Sequence, residues 1–137
     1  MGTNNCGCQS DKRPENMDSS SIANTTAKMV VYINSATLGR GDDDLGATLM
    51  GAYLDTLANF AADISHIILV NSGVKLACRD SNVTDQLGNL ANTGIKVLSC
   101  GTCINFFDLK DKLVVGDISN MFDIIETIKN GGRTLIP

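Results

Sequence analysis

Three short runs of apolar, mostly β-branched residues punctuate the chain: Met29-Val30-Val31-Tyr32-Ile33, His66-Ile67-Ile68-Leu69-Val70 and Ile95-Lys96-Val97-Leu98-Ser99. A short run with little polar alternation reads as a strand covered on both faces, the signature of a parallel sheet. Between these runs the period changes. Leu45, Leu49, Ala52, Tyr53, Leu57 and Phe60 recur at helical spacing and predict a helix over 43–61, with Asp42 as its cap and Asp43 and Asp44 at its positive end. Ser81 opens a second helix, with Val83, Leu87 and Leu90 inward and Gly94 as C-cap. A short helix from Ile104 to about Phe107 follows the third run. Val114-Val115 reads as a brief strand or extended link. Asn120 or Ser119 caps a last helix through Phe122, Ile125 and Ile128, which Gly131-Gly132 stops, and Thr134-Leu135-Ile136 reads as a terminal strand. Strand and helix alternate throughout, so the expected fold is α/β: a mostly parallel sheet with helices on both faces.

Residues 1–27 carry almost no apolar side chains and are expected to be a flexible tail or linker; residues 28–137 form one domain. No apolar run is long enough to span a bilayer, and the N-terminus has no signal-peptide core, so the expected location is cytoplasmic, away from membranes. In that compartment thiols stay reduced, and five Cys, an odd number, suit a disulfide framework poorly. A net charge of −4 argues against nucleic acid as a partner.

In an open parallel sheet, ligands bind beyond the carboxyl ends of the strands. Three loops meet that edge: 35–44, 71–80 and 100–103. They carry Arg40, Asp42, Asn71, Lys75, Cys78, Cys100 and Cys103. Cys103 stands where a strand gives way to a helix, and unpaired amides at a helix start favour an anion and a lowered thiol pKa. It is the leading candidate nucleophile, with Cys100 beside it and Asn71, Lys75, Cys78, Arg40 and Asp42 as candidate binding residues. The alternative for each Cys is inert packing. His66, the one histidine, precedes its strand and is expected at the opposite edge, too far away to act as a base for Cys103.

Several chemistries are set aside. Cys100-Gly101-Thr102-Cys103 has redox-dithiol spacing, but a thioredoxin-like site needs a facing cis-proline, and the prolines are Pro14 and Pro137. Cys6 and Cys8 have the wrong spacing to join Cys100 and Cys103 in a zinc site, so no metal is expected. Gly39-Arg40-Gly41-Asp42 lacks the GK[ST] of a phosphate loop, and Asp42, Asp43 and Asp44 would repel phosphate. The acidic triplet has no phosphoacceptor Asp at a later strand end, as a receiver domain requires. No cofactor is expected.

Taken in order, the segments resemble a known family. Asn34-Ser35-Ala36-Thr37-Leu38-Gly39-Arg40-Gly41-Asp42-Asp43-Asp44-Leu45-Gly46 is similar to the first loop of YedF-type proteins of the DsrE/DsrF-like superfamily. Asn71-Ser72-Gly73-Val74-Lys75-Leu76 resembles the second loop, and Ser99-Cys100-Gly101-Thr102-Cys103 with Leu109 to Leu113 and Val115-Gly116 resembles the third. Gly116 through Ile125 matches the closing stretch. The resemblance implies a flavodoxin-like three-layer sandwich and a persulfide carried on Cys103. It also implies a link to selenium metabolism, a TusA-like or other thiol sulfur-relay partner, and a homo-oligomer. YedF-type proteins commonly carry a preceding TusA-like domain with a Cys-Pro motif, absent from this sequence. Two alternatives stay open: a non-catalytic ligand- or protein-binding module with structural cysteines, and a Cys100–Cys103 dithiol switch.

Overall fold

The computed structural model of the chain describes residues 27–137, so the expected tail, with Cys6 and Cys8, lies outside the described residues. Its first strand, β1 (Met29–Ile33), is followed by helix α1 (Asp43–Leu57) and a 3-10 segment, Ala58–Asp63. Strand β2 (Ile64–Leu69), a 3-10 turn Asn71–Ala77 and helix α2 (Thr84–Asn92) come next. Strand β3 (Lys96–Cys100) runs directly into helix α3 (Gly101–Phe106). A 3-10 turn at Lys110–Lys112, strand β4 (Asp117–Ser119), helix α4 (Met121–Asn130) and strand β5 (Thr134–Leu135) complete the order.

All five strands are parallel, in the order β4-β3-β2-β1-β5. The chain steps outward from β1 to β4 and then returns across the sheet to β5. Right-handed crossovers therefore place α1, α2 and α3 on one face and α4 on the other. Register confirms the two faces. Val31, Ile67 and Val97 form one row, all 3% exposed or less, beneath the three-helix face. Val30, His66 and Lys96 form a row of the opposite face, running from buried to exposed. The sequence thus read the α/β class correctly from its apolar runs.

Two inward stripes differ from expectation. In α1 the buried residues are Gly46, Met50, Leu54 and Leu57, whereas Leu45 and Leu49 are exposed. Gly46 sets that rotation: a Cβ there would lie 2.8 Å from Thr37 Cβ, so only hydrogen fits beneath the 35–41 loop. The helix ends at Leu57, earlier than expected, and Phe60 falls in the irregular 3-10 segment, half-exposed. In α4, Ile124 is the buried residue, while Phe122 and Ile125 are exposed. The caps of α1 and α4 fall as expected, whereas α2 begins at Thr84 instead of Ser81, with Val83 at its N-cap position and no side-chain cap. Asp42 accepts from Leu45 N–H at 2.8 Å, and Asn120 accepts from Asp123 N–H at 2.9 Å. Gly94 takes a positive φ of 107° after α2.

Beyond β3, Val114 and Val115 are an extended link, and the strand is Asp117–Ser119, at the sheet edge. His66 lies inside β2 instead of before it, near the amino ends of the strands, where it lines a small cavity with Lys28, Ser65, Glu126 and Asn130. Burial, then the charge of Lys96, lowers its pKa.

Candidate functional site

Cys100 is the last residue of β3 and the N-cap of α3; Cys103 is the third residue of that helix. Successive turns of a helix bring such positions onto one side. Gly101 makes the junction possible, since a Cβ there would meet Ser119 O at 3.1 Å and Ile118 Cγ2 at 3.2 Å. The strand can therefore turn into the helix directly against β4. Cys100 is buried at 3% exposure, whereas Cys103 is half-buried. Both are free thiols, one helical turn apart.

The second element of the site is the turn after β2. Val70 N–H donates to Ile33 O at 3.0 Å and ties the turn to the end of β1. Gly73 allows that approach: a Cβ there would lie 2.5 Å from Ile33 O. Asn71 adopts the left-handed region with φ of 52°, a conformation Asn tolerates better than most residues. Its side-chain Oδ1 accepts from Ser72 N–H at 2.8 Å, and Ser72 Oγ accepts from Ala36 N–H at 3.0 Å. This hold turns the Asn71 backbone N–H onto Cys103 Sγ at 3.1 Å. The loop after β2 thus meets the sulfur beyond β3, braced from the loop after β1 through Ser72 and Ala36.

The electrostatics correct the sequence expectation of a lowered thiol pKa. Burial pushes the Cys103 thiol up, the Asn71 N–H pulls it down, and the neighbouring Cys100 raises it, for a net upward shift. A helix of six residues adds little dipole, so desolvation wins. The resting group is a protonated thiol with one backbone donor already in place for an anion.

The other sequence candidates separate from this centre. Asp42 is used as the α1 cap, and Arg40 is exposed in the first loop. Lys75 lays its Nζ 4.4 Å over the Phe107 ring, a cation–π contact. Cys78 is buried at 3%, and its Sγ lies 3.5 Å from Val74 O; burial, then the charge of Asp80, raises its pKa. Lys75 and Cys78 both line a cavity of ≈ 630 Å³ between α1, the 71–77 turn and α2. Cys103 does not line it. Thr48, Gln86 and Lys112, which do, carry no sequence signal, because three distant elements bring them together. No group of three or more His, Cys, Asp or Glu suited to a metal ion occurs among the described residues. No helix there is long and apolar enough to cross a membrane.

An open parallel sheet with a cysteine pair at the mouth of its third strand defines a class of thiol-bearing α/β domains. The chain belongs to the DsrE/DsrF-like family, whose sequence signature matches residues 12–137. The fold is similar to that of a protein of unknown function, MTH1491, from Methanobacterium thermoautotrophicum, at 18% identity and TM-score 0.62, covering 81% of this chain and 99% of that one. It is equally similar to the ychN protein of E. coli, at 15% identity and TM-score 0.62 with the same coverage. BT1422 of Bacteroides thetaiotaomicron, a conserved protein of unknown function, aligns at 19% identity and TM-score 0.57, over 82% of this chain and 97% of that one. No curated protein matches the chain.

Proposed function

We propose that this domain is a sulfur or selenium carrier of the YedF type, in which Cys103 takes sulfane sulfur as a persulfide and passes it to a partner thiol. The Cys103 thiolate attacks the outer sulfur of a donor persulfide, forms one S–S bond and releases the donor as a thiol. Transfer onward repeats the step with Cys103 as the leaving thiol. The observation that carries this reading is the Asn71 N–H aimed at Cys103 Sγ at 3.1 Å, a fixed donor for a sulfur anion at a half-buried position. The raised thiol pKa suits a carrier that stays quiet until a donor or partner brings positive charge to the sulfur. Met121, Phe122 and Ile125 of α4 are exposed, which supports association with another copy or with a TusA-like or other thiol sulfur-relay partner.

Treatment of the full chain with a persulfide donor, followed by intact-mass analysis, tests the reading. A gain of one sulfur that maps to Cys103 and vanishes in Cys103→Ser supports it. Equal loading of the variant overturns it. A second reading, a ligand-binding module with structural thiols, is favoured by the cavity of ≈ 630 Å³. It expects Cys103 to resist loading altogether.

A further inference from the structure

We infer that Cys100 is a resolving thiol that discharges the Cys103 persulfide within the same chain, releasing hydrogen sulfide and leaving a Cys100–Cys103 disulfide. The inference rests on the carrier reading above and assigns the fate of the sulfur when no partner collects it. The two residues occupy the N-cap and the third position of α3, one helical turn apart. Helix geometry brings Cα atoms three residues apart to about 5 Å, inside the range of about 4.4–6.8 Å that a disulfide spans. Their exposures are opposed. Cys100 is 3% exposed, so an external donor meets Cys103 first. Cys100 then meets sulfur chemistry through Cys103.

The step balances without an outside oxidant. Cys100 gives up its proton and attacks Cys103 Sγ. A new S–S bond forms between the two side chains, and the bond from Cys103 Sγ to the sulfane sulfur breaks. The sulfane sulfur leaves with the bonding pair and takes the proton, so persulfide plus thiol becomes disulfide plus hydrogen sulfide. Two electrons pass to the departing sulfur, and the two cysteine sulfurs are oxidised. The Asn71 N–H holds Cys103 Sγ, the atom attacked, from the side of the second loop. A small dithiol restores the reduced pair by exchange. The domain is therefore a sulfane-sulfur reductase at each turnover in which dithiol is present and a relay acceptor is absent.

The test uses the full chain with Cys6→Ser and Cys8→Ser in every arm, loaded with inorganic polysulfide and desalted. With Cys100 present, sulfide should appear about tenfold or more faster than from Cys100→Ser, since a tethered thiol acts at high effective concentration. The rate should not depend on protein concentration, and peptide mapping should find the Cys100–Cys103 disulfide. Cys100→Ser, or Cys100→Ala if the serine variant folds poorly, should retain the added sulfur on Cys103. Equal persulfide lifetimes with and without Cys100 overturn the inference and leave the carrier reading standing. Failure of the Cys100→Ser and Cys100→Ala arms to load sulfur on Cys103 overturns both. A disulfide mapping to Cys78 instead also overturns it.

Discussion

Replacing Gly73 by Ala tests whether the 71–77 turn positions the site. The added Cβ would sit 2.5 Å from Ile33 O, against backbone that belongs to the central strand pair. The strand end is held in the sheet, so the turn must move. Overpacking of this kind costs about 1–3 kcal/mol, and the stiffer unfolded chain of the Ala variant returns about 0.5 kcal/mol of that. A net loss of about 1.5 kcal/mol lowers the melting temperature of a domain this size by roughly 6 °C. The same displacement draws the Asn71 N–H away from Cys103 Sγ, removing the one influence that lowers its pKa. Thermal unfolding followed by circular dichroism measures the first effect. The pH dependence of Cys103 alkylation by iodoacetamide, read by mass spectrometry, measures the second. The variant should melt early and should need higher pH for half-maximal alkylation. A melt within 1 °C of wild type, with an unchanged alkylation profile, would refute the reasoning.

Four further outcomes follow from the geometry. In wild type the alkylation midpoint of Cys103 should lie above that of a free thiol, and Cys100→Ser should bring it down, because Cys100 pushes it up; a midpoint unmoved by the substitution contradicts the coupling. Ser99 is fully buried, and its Oγ has no hydrogen-bond partner among the described residues, so Ser99→Ala should stabilise the domain by about 1 kcal/mol in urea unfolding. Asp42→Ala should cost about 1 kcal/mol through the lost α1 cap and leave sulfur loading unchanged; impaired loading would give Asp42 a role at the site. The pKa of His66 is lowered from 6.5 in the fold, so the unfolded chain takes up its proton first. Its effect is absent above pH 6.5 and grows as pH falls through that value toward the lower folded pKa, where the fold loses stability. His66→Gln should flatten that part of the stability–pH curve.

Where the physics is local, the sequence is easy to read. Three strands announce themselves because most of their positions are covered on both faces and take apolar side chains. Asp42 and Asn120 are legible as caps because capping is satisfied within one turn. Strand β4 escapes notice because three residues at a sheet edge, Asp117 and Ile118 exposed, need no apolar pattern. The inward stripe of α1 is set by the contact of Gly46 with Thr37, which helical spacing does not reveal. The same division runs through the site. The position of Cys103 follows from a strand meeting a helix. The direction of its pKa shift depends on how deeply the loops bury it. Asn71 is legible as a candidate, but its contribution comes from a backbone amide whose aim depends on Ser72 and Ala36.

The contact between Asn71 and Cys103 joins residues 32 apart in sequence, whereas Cys100 and Cys103 are near neighbours. The cysteine pair can therefore meet while the chain is still being synthesised, but the amide reaches the sulfur only after β2 and β3 have paired. Before that moment Cys103 is an ordinary thiol, open to oxidants and to its neighbour. Maturation of the domain is thus a change in the identity of its sulfur, and a chaperone or reductant acting on the nascent chain would meet a different reagent from the one the finished protein presents.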